Sequence, residues 1–148
     1  MKLPNIKFKN STVFTVDTTS NIPLPLFLHN VPAGFPSPAD DYIETALDLN
    51  KHLIDHPHST FFVKVTGNSM LGANIREGDI LIVDRTLEPI NNKIVIAVVD
   101  GELTVKRLKK KYNAISLVPE NNDYPELSIT NQEFRIWGVV TYIIHKAK

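Results

Sequence analysis

Residues 94–108 read IVIAVVDGELTVKRL, two β-branched apolar runs joined by Asp100-Gly101. Val, Ile and Thr lose rotamer freedom in a helix and pack well on a pleated surface. Asp-Gly between such runs takes the left-handed conformations that a two-residue hairpin turn requires. The stretch therefore predicts a β-hairpin with Lys106 on its second arm. Along that arm Leu103 and Val105 share one face, while Glu102, Thr104, Lys106 and Leu108 share the other.

Outward from this hairpin, Thr60 to Val65, Ile80 to Val83, Ile115 to Val118 and Phe134 to Ile144 have the same β-branched and aromatic character, with turn residues between them. With the two hairpin arms they make six short strands, which predict a compact, mainly antiparallel β-domain. Between Asp40 and His56 the apolar positions Ile43, Leu47, Leu49, Leu53 and Ile54 fit one or two short helices, ended by Pro57. Residues 22–39 contain Pro23, Pro25, Pro32, Pro36 and Pro38, which no helix interior tolerates. That strip reads as an extended, exposed arm near polyproline geometry, open to proteolysis. Ile6 to Val16 alternates loosely in the manner of a strand.

Composition narrows the function. A chain of 148 residues buries about one modest core. Sixteen basic and sixteen acidic side chains cancel, so net charge provides no grip on nucleic acid or anionic lipid, and any link to DNA is expected to be indirect. The absence of cysteine excludes disulfides, thiol nucleophiles and thiolate metal sites, and suits a reducing cytoplasm. The apolar stretches are too short to cross a bilayer, and Met1-Lys2 opens no apolar signal block. The expectation is a cytoplasmic protein without a membrane partner.

Few residues carry chemistry. Ser69, in VTGNSM, sits where a strand runs into a glycine-containing turn, with the amides of Asn68 and Ser69 available to a developing oxyanion. Serines in such turns commonly do no more than bond the local backbone. Lys106 is a strand lysine, ordinarily solvated; it becomes a general base only if apolar walls depress its proton affinity. Of the five histidines, His52, His56 and His58 cluster near Pro57, His29 is in the arm and His145 near the C-terminus. His52 and His56 have the spacing of a metal pair but no evident third ligand, so the histidines read as surface residues and no metal or cofactor is expected. The basic run Lys106 to Lys111 reads as a solvated hairpin end, and Trp137 as a core or dimer residue.

Taken in order, PLFLHNVPAGFPSPADDYIE, DLNKHLIDHP, FFVKVTGNSM, EGDILIVDR, IVIAVVDGELTVKRL and WGVVTYII resemble the LexA/UmuD-like self-cleaving Ser-Lys peptidases, most of all their UmuD-like branch. The likeness runs from Pro25 to Ile144. It includes a small residue before glycine at the cleavage point, GxSM at the nucleophile, VDGExTVKxL around the lysine, and 37 residues between Ser69 and Lys106. The resemblance implies that Ser69 attacks the Ala33 carbonyl, that Lys106 takes its proton and passes it to the leaving amine of Gly34, and that the amides of Asn68 and Ser69 hold the oxyanion. It implies a removable arm at 1–33, an extended linker at 34–39, and a peptidase and dimerisation domain at 40–148. It also implies a role in the SOS response. Cleavage would be stimulated by a RecA filament on single-stranded DNA, and the processed homodimer would join a UmuC-like Y-family polymerase in translesion synthesis.

Ala33 stands where cysteine is frequent in that branch, and the first twenty residues match no part of it. Two alternatives stand beside this reading. One is a non-catalytic dimeric module that restrains a polymerase. The other is the protease domain of a LexA-like or phage repressor, although residues 1–33 are too short and too proline-rich for a helix-turn-helix that would read DNA sequence.

Overall fold

The computed structural model describes residues 6–8, 12–27, 33–35, 43–129 and 134–148. The chain forms two compact units, Met1–Val16 with His56–Lys148, and Asp17–Asp55. Among the described residues the first unit holds a nine-stranded sheet in the order β1-β2-β5-β6-β11-β7-β8-β9-β10. Its strands are β1 (Ile6–Lys7), β2 (Thr12–Thr15), β5 (Thr60–Lys64), β6 (Ile80–Asp84), β7 (Ile94–Val99), β8 (Glu102–Lys111), β9 (Ala114–Val118), β10 (Leu127–Ser128) and β11 (Phe134–Ile144). Every pairing in it is antiparallel. This is the mainly β architecture that the sequence predicts.

Burial on both faces explains the apolar runs. In β7, Ile96 and Val98 enter a core with Val63, Leu81, Leu103 and Trp137, whereas Val95 and Ala97 enter another with Leu108, Leu117 and Val139. A strand covered on both sides is apolar at successive positions, and IVIAVV is that pattern. The Asp100-Gly101 turn has φ of 51° and 82°, the left-handed pair of a type I′ hairpin, and fixes the β7–β8 register at Val99↔Glu102.

β11 is long because it serves two neighbours. Phe134 to Val139 pairs with β7 and Val139 to Ile144 with β6, with register shifts at Ile136/Gly138 and Val140/Tyr142. Such bulges let one strand turn between partners. At Gly138 a Cβ would lie 2.5 Å from Val83 Cγ1. Gly138→Ala is therefore expected to destabilise the sheet by about 1–3 kcal/mol, seen as a fall of several degrees in the calorimetric midpoint.

The second unit pairs β3 (Pro23–Phe27) with β4 (Ile43–Asp48), followed by α1 (Leu49–Leu53). The helical expectation for residues 40–56 thus holds for Leu49–Leu53 and fails for Ile43–Asp48, which is a strand. Asp48 caps α1, accepting from the Asn50 amide at 3.0 Å, so the helix starts later than the apolar spacing implied. Before it the chain satisfies its backbone against β3, whose prolines suit a two-stranded ribbon with open edges. Of the predicted arm, residues 28–32 and 36–39 lie outside the described residues, while Ala33, Gly34 and Phe35 are exposed in a bend. Among the described residues no helix is long and apolar enough to cross a membrane.

Candidate active site

Ser69 is presented by the turn that leaves β5. The chain passes through Gly67 at φ 80°, a conformation that costs glycine little. It is then anchored by Met70, 1% exposed in the core, before the 3₁₀ turn Leu71–Ala73. With Met70 fixed inward, its neighbour Ser69 stands half-buried at the surface.

The carbonyls of this turn are held from outside. Ser69 O accepts from the Glu120 amide at 2.9 Å, and Gly72 N donates to Glu120 O at 2.7 Å. Asn121 Nδ2 donates to Asn68 O at 2.8 Å. Arg107 forms an ion pair with Glu120 and donates to Asn92 O at 2.6 Å, so the residue beside Lys106 ties down the segment that holds the Ser69 turn. Among the described residues the amide N–H groups of Asn68 and Ser69 donate to no protein acceptor. Two unbonded donors on a turn whose carbonyls are fixed are groups of the kind that can receive an anionic oxygen.

Lys106 comes from β8, opposite Val95 of β7. Its Nζ lies 3.0 Å from Ser69 Oγ, 2.8 Å from Thr104 Oγ1 and 3.1 Å from Val105 O. A neutral amine has two N–H donors and one lone pair. Donating to Thr104 and Val105 leaves that lone pair for the Ser69 hydroxyl proton. Beside the pair is a cavity of about 100 Å³, with Val63, Leu81, Ile96 and Leu103 among its walls. Burial among these groups lowers the Lys106 pKa from its ordinary value, because an ammonium loses more hydration than an amine.

The family described as Peptidase S24-like matches residues 25–141. The chain belongs to that family. It is 49% identical over 124 residues to Protein SamA of Salmonella typhimurium, covering 84% of this chain and 86% of that protein. It is 46% identical over 125 residues to Protein ImpA of Escherichia coli, covering 84% and 85%. To Protein MucA of Escherichia coli it is 41% identical over 121 residues, covering 80% and 82%. These similarities put it among the UmuD-like S24 peptidases.

In this S24-like chain the structure brings together Ser69, Lys106 and the Asn68 and Ser69 amides, all drawn from the unit that contains the nine-stranded sheet. Ala33 and Gly34 belong to the other unit. Sequence reasoning missed Glu120, Asn121 and Arg107, for which no local signal exists. Thr104 was within reach, since it shares a strand face with Lys106. Two of the five histidines, all read as surface residues, hold buried carboxylates. His56 Nδ1 lies 2.6 Å from Asp84 Oδ2, and His145 Nδ1 2.7 Å from Asp79 Oδ1. Burial alone would raise the Asp84 carboxyl, but the hydrogen bonds from His56 and Thr86 outweigh it and hold its pKa below the ordinary value. Among the described residues no histidine bonds to Ser69, and no three His, Cys, Asp or Glu side chains gather as metal ligands.

Proposed function

We propose that this chain is a self-cleaving serine peptidase that cuts its own Ala33-Gly34 bond. Lys106 takes the Ser69 proton as Ser69 Oγ attacks the Ala33 carbonyl carbon. The amides of Asn68 and Ser69 receive the oxyanion. As the carbon–nitrogen bond breaks, the proton passes from Lys106 to the Gly34 amine, leaving Ala33 esterified to Ser69. Water, deprotonated by Lys106, then releases the 1–33 fragment from residues 34–148. The observation that carries this reading is the 3.0 Å contact between Ser69 Oγ and a lysine amine whose proton affinity is lowered by burial. The exposed bend at residues 33–35 supports it from the substrate side. A substrate in the same chain has a high effective concentration, so two modest groups suffice.

The UmuD-like relatives support a place in SOS mutagenesis. A RecA filament on single-stranded DNA stimulates the cut, and residues 34–148 serve as the dimeric subunit of a UmuC-like translesion polymerase. For the dimer, the far end of β11 offers exposed Tyr142 and Ile144, with Ile80 paired to Ile144 and also exposed. The test is intact-mass analysis of wild type and Ser69→Ala, each alone and with RecA filaments. Wild type is expected to divide into 1–33 and 34–148 while Ser69→Ala stays whole. If both stay whole even with the filament, the peptidase reading falls and a polymerase-binding dimer takes its place.

A further inference from the structure

The unit that carries Ser69 and Lys106 includes residues from the far side of the Ala33-Gly34 bond. β2 pairs with β5 through Phe14↔Phe62 and Thr15↔Phe61, and β1 folds back on β2 through Ile6↔Val13. Val13 is 0% exposed and belongs to the same core as Val63, Leu81 and Trp137. Phe8 meets the Trp137 ring edge-on at 5.8 Å, while Phe61 packs on that ring at 5.0 Å. Phe14, the outward neighbour of Val13, is 48% exposed. β2 is thus a strand of the main sheet, Val13 inward and Phe14 outward, with β1 paired on its far side.

A cut at residue 33 breaks the covalent link between this strand and the sheet. Before it, tethering keeps the strand at an effective concentration of order millimolar; afterwards it is held by its own contacts and by the β3–β4 ladder of the same fragment. On the sheet itself the strand has two ladder pairs and a few apolar side chains, a small contact once the tether is cut. Its departure would uncover the β5 edge and an apolar recess beside Trp137. An edge of that kind pairs with another strand or aggregates.

We propose that β2, backed by β1, is a built-in occupant of a strand-binding groove on the β5 edge, that the 1–33 fragment leaves after processing, and that its departure opens this groove to an extended segment of a partner protein. The inference rests on the self-cleavage reading. The seated strand states the chemistry that the groove accepts: a β-segment adding antiparallel to β5, with a branched apolar side chain at the Val13 position and tolerance at the exposed Phe14 position. Main-chain hydrogen bonds give such a site affinity, and the buried position gives it selectivity.

The test uses the full chain bearing Ser69→Ala and a recognition sequence for an added site-specific protease, inserted between Ala33 and Gly34. Because the added protease makes the cut, the result does not depend on Ser69. The probe is a fluorescein-labelled peptide of residues 5–17, followed by anisotropy on cut and uncut protein, with size exclusion to show whether the 1–33 fragment leaves. The expected result is separation of the fragment at micromolar concentration and saturable binding of the peptide to cut protein. Binding to uncut protein should be at least tenfold weaker, as should binding of a Val13→Asp peptide to cut protein. Equal binding before and after the cut, equal binding of the Val13→Asp peptide, or a fragment that never leaves would each overturn the proposal. Dimers of the cut protein that the peptide cannot dissociate would assign the edge to a second copy of this chain and overturn it as well.

Discussion

Lys106→Ala and Lys106→Arg are each expected to lower the first-order rate of the proposed self-cleavage by roughly 10²–10⁴-fold, the usual contribution of a positioned base. Alanine removes the amine, whereas arginine keeps a cation at the same place that stays protonated. Equal loss in both, read by intact mass over time, identifies proton acceptance as the function; retention of the rate by arginine would instead assign Lys106 a purely electrostatic part. The pH profile has a sign fixed by the structure. In the proposed mechanism the neutral amine is the active form, so below the Lys106 pKa the rate is expected to rise tenfold per pH unit, then level off. Burial puts that plateau at lower pH than an ordinary lysine would give.

Stability offers an independent readout of the same burial. The folded state binds the Lys106 proton more weakly than the unfolded state does, so stability rises with pH between the folded pKa and the unfolded value near 10.5. Below that window the cost is fully present. Lys106→Met abolishes cleavage, removes this slope and raises the thermal midpoint at neutral pH, whereas loss of a stabilising contact would lower it.

Gly72→Ala is expected to damage the site without touching either reacting group. An added Cβ would lie 2.7 Å from Glu120 O, a backbone atom that cannot rotate away. The 70–73 turn or the Glu120 segment has to move. Glu120 N is bonded to Ser69 O and Asn121 to Asn68 O, so displacement reaches Ser69 and the Asn68 and Ser69 amides. A shift near 1 Å costs up to about 10²-fold in rate. We expect a ten- to hundredfold slower cut at a temperature where the variant remains folded. Gly138→Ala, equally crowded but facing Val83, serves as the comparison: it should lose stability while keeping its cleavage rate. Equal rates in the two variants would mean that the Glu120 segment does not position Ser69.

Local chemistry alone determined much of this protein. β-Branched and aromatic runs defined β5, β6, β7, β9 and β11 to within a residue, and β8 except for its last three residues, and Asp100-Gly101 fixed the hairpin that carries Lys106, because side-chain crowding and turn dihedrals are properties of neighbours in sequence. The Ser69 turn and the Thr104–Lys106 face were legible for the same reason. The apolar spacing of residues 43–54 was ambiguous between helix and strand, and pairing with β3 decided it, since a partner strand some twenty residues away satisfies backbone groups that the local sequence leaves open. Residues 6–16 showed a loose alternation but no sign that they complete a sheet whose next strand begins at Thr60. Neither the burial of Lys106 nor the grip of Arg107 and Glu120 on the Ser69 turn has any marker in sequence. Desolvation depends on which walls the fold assembles around a group, and a lysine becomes a base only when tertiary packing removes its water.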